Sequence, residues 1–133
     1  MNLEQAIHQR WAATDALNAL LPAENLVTGR ASGRSTPYAT LVRQRSRPVV
    51  SSNTADAIDE VTLRFHVWHD DHDAALAIAR QVKTAFNRSR FDLAGGDRVI
   101  GMRRTSDRGT QHDDGLWQVI LEFTVRVYLS SGV

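Results

Sequence analysis

The sequence predicts an α+β domain of two layers: a mainly antiparallel four-stranded sheet with two helices packed on one face, in the order α-β-β-α-β-β. Three observations carry this. "EVTLRFHVW" (60–68) and "LWQVILEFTVRVYLS" (116–130) alternate apolar and polar residues, the period of a strand with one buried face. Residues 3–21 and 72–87 instead repeat their apolar residues three and four apart, the period of a helix with one buried stripe. Strands with a single apolar face call for an antiparallel sheet covered on one side, which leaves the other side to solvent or a partner.

In chain order, Leu3, Ile7, Trp11, Leu17 and Leu20/Leu21 form the stripe of the first helix, with Asn2 placed to cap it and Pro22 to end it. Residues 22–36 are rich in Pro, Gly and Ser and read as a loop. "PYATLVRQR" (37–45) reads as a strand with Tyr38, Thr40 and Val42 on one face. Residues 46–59, "SRPVVSSNTADAID", read as a second long polar loop, mobile in the isolated subunit. After the 60–68 strand, Ala75, Ile78/Ala79, Val82 and Phe86 mark the second helix. "LAGGD" (93–97) is a turn, "RVIGMRRT" (98–105) a third strand, and "SDRGTQHDDG" a mobile hairpin loop. In the last strand Trp117, Val119, Leu121, Phe123, Val125, Val127 and Leu129 share the core face.

Residues 1–133 form one domain, with a length and an apolar content of 42% sufficient for one core. The absence of cysteine removes disulfides, thiol catalysis and cysteine-ligated zinc. No apolar run approaches the roughly 18 residues of a membrane span, and the start lacks the pattern of a secretory signal. A cytoplasmic protein with no membrane partner is expected.

The net charge of +1 conceals sorting. Arg30, Arg34, Arg43, Arg45 and Arg47 lie in a stretch, 25–55, without a carboxylate. Asp56, Asp59, Glu60, Asp70, Asp71 and Asp73 follow with only Arg64 among them. One reading is solvated surface that happens to be sorted; the other is a pair of opposite-sign patches, suited to binding a second copy of the chain. These eleven residues are the candidate subunit interface. Arg43 and Arg45 on one strand and Arg103/Arg104 on another also suggest an arginine-rich sheet face, supporting backbone contact with nucleic acid at most.

"HVWHDDHDAA" (66–75) is the densest cluster of chemistry-bearing residues. His66, His69 and His72 straddle a change from strand to helix, and the i, i+4 pair of a helical metal site is missing. Asp70 or Asp71 before an apolar-periodic run has the character of a helix N-cap, with Asp73 at the positive end of the helix. The stretch reads as a helix start. No G-x-S-x-G elbow, phosphate loop or dinucleotide fingerprint occurs. Catalytic, metal and cofactor-binding residues are therefore none, no cofactor is expected, and the chain reads as a non-enzyme.

Four blocks together carry a family resemblance: "LEQAIHQRWAATDALNALL", "TPYATLVRQR", "TLRFHVWHDDHDAALAIARQVKTAF" and "LWQVILEFTVRVYL". In these the chain resembles the small tail-completion (tail-terminator) proteins of long-tailed bacteriophages and their prophage or gene-transfer-particle relatives. The middle block, an alternating strand ending in an aromatic-acidic turn and an Ala-rich helix, is the most specific. The resemblance implies a structural subunit that forms a ring, commonly a hexamer, capping the tail tube and joining it to the head connector. It implies as partners other copies of the chain, the tail-tube protein and the connector, with DNA only passing through the channel. It implies assembly in the cytoplasm, from subunits that can be monomeric in isolation, and then a place in the virion tail. The rivals are a free-standing binding or regulatory domain using its open sheet face and, resting on the histidines alone, a metal-dependent hydrolase.

Overall fold

The computed structural model describes residues 2–29, 35–51 and 57–130, without the side chains of 50 and 51. The chain folds into three α-helices and one six-stranded mixed sheet, curled into a half-barrel. This corrects the expected four-stranded, mainly antiparallel sheet with two helices.

The first helical stretch is two helices. α1 (Leu3–Ala13) is capped by the Asn2 side chain, which accepts from the Gln5 N–H. Thr14 then turns extended (φ −93°, ψ 97°), and α2 (Asp15–Leu20) starts in a new direction. The Thr14 hydroxyl donates to the Arg10 carbonyl at 2.7 Å, competing locally with the helical ladder. Two further strands were not expected, one in the 22–36 segment read as loop and one in residues 88–92, which were given no element. β1 (Leu26–Thr28) pairs in parallel with β2 (Tyr38–Ser51), and β4 (Ser89–Asp92) pairs with the start of β5 (Arg98–Gln111). At three and four residues they are too short to display a period.

β3 (Ala57–His69) and β6 (Trp117–Leu129) form the centre of the sheet, in the strand order β1-β2-β3-β6-β5-β4. Residues 46–51 and 57–59, expected as mobile loop, instead continue the β2–β3 ladder; 52–56 lie outside the described residues. The expected loop after 105 is likewise strand as far as Gln111. Register shifts between Arg43 and Arg45 and between Arg104 and Thr105–Ser106 lengthen these strands without alternation the sequence would reveal.

α3 (His72–Phe86) lays Ala75, Ile78, Ala79, Val82, Ala85 and Phe86 into the core that Leu3, Ile7, Trp11 and Leu17 also enter. Phe65 of β3 is its centre, packed on Trp11, Phe86 and, edge-on at 5.6 Å, Phe123 of β6. Trp11 stays satisfied while fully buried because its indole N–H donates to the Leu21 carbonyl at 2.8 Å. Among the described residues, no helix is long and apolar enough to cross a membrane.

Candidate functional site

The opposite face of the sheet is polar, and strand register orders it into rows. One row runs Tyr38, Trp68, Gln118, Thr110; the next Thr40, His66, Ile120, Arg108. Then come Val42, Arg64, Glu122 and Ser106, followed by Arg45, Thr62, Thr124 and Arg103. The last of these runs Arg47, Glu60, Arg126, Gly101. Arg98 joins the face with its guanidinium 5.1 Å from the Tyr128 ring, and Arg90 lies beside it on β4. Eight arginines thus share the face with three carboxylates, Glu60, Asp92 and Glu122.

Two of those carboxylates are committed. Glu60 sits between Arg47 at 2.9 Å and Arg126 at 3.6 Å, and the Arg47 hydrogen bond chiefly holds its carboxyl below the ordinary value. Glu122 accepts from Arg64 at 3.1 Å and from the Thr105 hydroxyl at 3.0 Å. Arg45, Arg90, Arg103 and Arg108 have no carboxylate partner among the described residues.

The histidine cluster disperses. His66 Nδ1 accepts from the Gln118 amide nitrogen (2.8 Å), and the Gln118 amide oxygen accepts from His112 Nε2 at 2.8 Å. His69 Nδ1 accepts from the Asp71 N–H, and His72 packs on Trp117 with ring centres 4.3 Å apart. Burial, and then the charges of Arg64 and Arg108, hold His66 below the ordinary histidine pKa, so the neutral ring that accepts from Gln118 is favoured. Among the described residues, no three His, Asp or Glu side chains converge as metal ligands.

The candidate interface residues scatter. Arg30, Arg34 and Asp56 lie outside the described residues. Arg43 reaches Glu4 of α1 through two 2.8 Å hydrogen bonds, on the helix side of the sheet. The bulge at Gln44 sends Arg45 to the open face, so the two arginines do not share a face. Arg47 and Glu60 pair with each other inside one subunit. Asp71 caps α3 by accepting from the Ala74 N–H, and Asp70 accepts from the Thr36 hydroxyl. Asp73 is almost fully exposed beside His72, and Asp59 lies in the β2–β3–β6 ladder opposite Pro48 and Val127. Arg90, Arg98, Arg108 and Arg126 of the open face were not anticipated as a group. Arg98 and Arg126 fall on expected strands, but Arg90 and Arg108 fall in segments not expected as strand, and the alignment of all four across strands needs the register.

A family model described as Tail completion protein gp17 matches residues 5–128. The chain belongs to this family. It is accordingly a phage tail structural protein by family. A chain in a solved structure titled "Virion of native gene transfer agent (GTA) particle" superposes with a TM-score of 0.75 at 19% identity, over 96% of this chain and 95% of that one. At that identity the likeness establishes a shared fold. The comparison with curated proteins gives no match.

Proposed function

We propose that this tail completion protein caps the tail tube as a homo-oligomeric ring, commonly a hexamer in such proteins, and joins the tube to the head connector. The observation that carries the reading is the family match from residue 5 to 128. A fold shared along nearly its whole length with a chain of a gene transfer agent virion supports a place in such a particle. The role needs surfaces and no reaction, so the protein acts as a non-enzyme. Its partners are its own copies, the tail-tube protein and the connector, assembled in the cytoplasm and retained in the particle.

A ring is closed by two different patches on each subunit meeting head to tail. The arginine and acidic segments remain the proposed patches, narrowed to residues not already held within the subunit. Arg45 supplies the positive side, and Asp59 and Asp73 the negative. Exposed ion pairs contribute only about 0–1 kcal/mol each, so they set orientation while other contacts hold the ring.

Deleting the gene from the producing genome tests the reading. Electron microscopy should show heads without joined tails and tails of irregular length, and added purified protein should restore joining. Normal particles from the deletion would overturn it in favour of a free-standing binding domain.

A further inference from the structure

The open sheet face and the rest of the molecule carry opposite charge. Among the described residues the face holds eight arginines against three carboxylates, while the remainder has eleven carboxylates against six Arg and Lys. We infer that this face is a contact surface for the phosphate backbone of double-stranded DNA, held by charge and without base reading.

The shape fits an extended polyanion. Two grooves, of about 590 and 440 Å³, adjoin across the face and share Glu60 and Thr124 in their walls. Arg45 and Arg103 end one four-strand row, a span of about 14 Å from the strand spacing, which is the scale of a duplex groove rather than of a single phosphate. Between them stand the hydroxyls of Thr62 and Thr124, further donors for phosphate oxygens. Glu60 and Glu122 are already saturated, so Arg90, Arg103 and Arg108 keep their charge for a ligand. Arginine, with its planar fork of donors, is fifteen of the chain's sixteen Lys and Arg residues.

Large aromatic and apolar side chains of the face, Tyr38, Trp68 and Ile120, lie in its first two rows, so the rows of Arg45–Arg103 and Arg47–Arg126 lack the apolar centre of a protein interface. The exposed large apolar residues among those described are Leu20 and Leu76, on the helices, and Val49, near the end of β2. The positive potential acts on a group within the face: Arg64 and Arg108 add to burial in keeping His66 neutral.

One subunit carries the whole face, and substituting Arg103 and Arg108 spares Arg45 of the proposed ring patch, so the inference stands or falls separately from the ring. The test is fluorescence anisotropy of a labelled duplex of about 20 base pairs with the purified full chain, starting near 50 mM salt. Binding should weaken linearly in log–log salt plots. The double variant Arg103→Gln/Arg108→Gln should lose at least about tenfold in affinity and about two units of salt slope. Arg80→Gln, on the solvent side of α3 away from this face, should leave both unchanged. Unlabelled duplex should compete far better than polyglutamate of equal charge. Absence of binding at the lowest salt, equal losses for Arg80→Gln, or equal competition by polyglutamate would each overturn the assignment, the last in favour of an acidic protein partner.

Discussion

Phe123 has its ring edge on Phe65 and no exposed surface, so it tests which face of β6 is the core. Phe123→Ala should destabilise by about 3–5 kcal/mol, since truncation loses transfer energy and leaves a cavity. Glu122→Ala, one residue away on the open face, should cost far less in the same denaturant melts. Equal losses would mean the faces are reversed. The core at this scale was legible, because alternation in β3 and β6 names every buried side chain of those two strands. Charged residues were not. Arg43 and Arg45 are two apart and were assigned one face, but the Gln44 bulge puts one on Glu4 and the other in the trough. His66 gives a pH signature. Its folded pKa is lowered, as is that of half-buried His8, so the unfolded chain binds protons more readily as pH falls through 6.5. Stability from this source is complete above that value and declines below it. Melting temperature should therefore fall between about pH 7 and 5.5, and His66→Gln should reduce the fall. An identical pH profile for the variant would remove His66 from the account.

The elements that escaped the sequence reading are those whose existence depends on distant pairing. β1 and β4 contribute three and four residues and have no stripe of their own; each is a strand because a neighbour's backbone lies alongside. The β2–β3 hairpin was shortened for a related reason. "SRPVVS" looks like a loop by composition, yet its partners at 57–61 are held on their other side by β6. Hydrogen exchange should accordingly show the amides of 57–60 protected much like those of 61–68; exchange at loop rates would contradict the ladder. The start of α3 was legible from "HDDHDAA", since an acceptor before an apolar-periodic run has a capping role to fill. Asp71→Ala should destabilise by about 0.5–2 kcal/mol in urea, and Asp71→Asn or Asp71→Ser should restore most of it. If Asp70→Ala costs as much as Asp71→Ala, the cap has been misplaced.

Across the whole molecule, a net charge near zero is the sum of a positive sheet face and a negative remainder. That division explains why charge runs along the sequence pointed to sorting but misplaced it. Segments 25–55 and 56–73 are largely the two arms of one hairpin, so Arg47 and Glu60 meet inside the subunit, leaving fewer groups to meet a neighbour. The assembly test must therefore spare the residues that hold the fold. Reversing Arg43 would strip Glu4 of its partner, and replacing Asp71 would uncap α3, so either would confuse weak assembly with weak folding. Arg45 has no such duty, and Asp73, its side chain 95% exposed, has only a 3.8 Å approach to His72 and its place in the first turn of α3. Arg45→Glu should lower the yield of joined particles in a complementation assay, and should lower it more as salt falls, because screening of the new repulsion weakens. Asp73→Arg alone should act in the same direction. The double variant should recover joining above either single one, since the charges would again be opposite across the interface. Additive losses in the double variant, with all three proteins melting like the wild type, would show that Arg45 and Asp73 do not face each other between subunits.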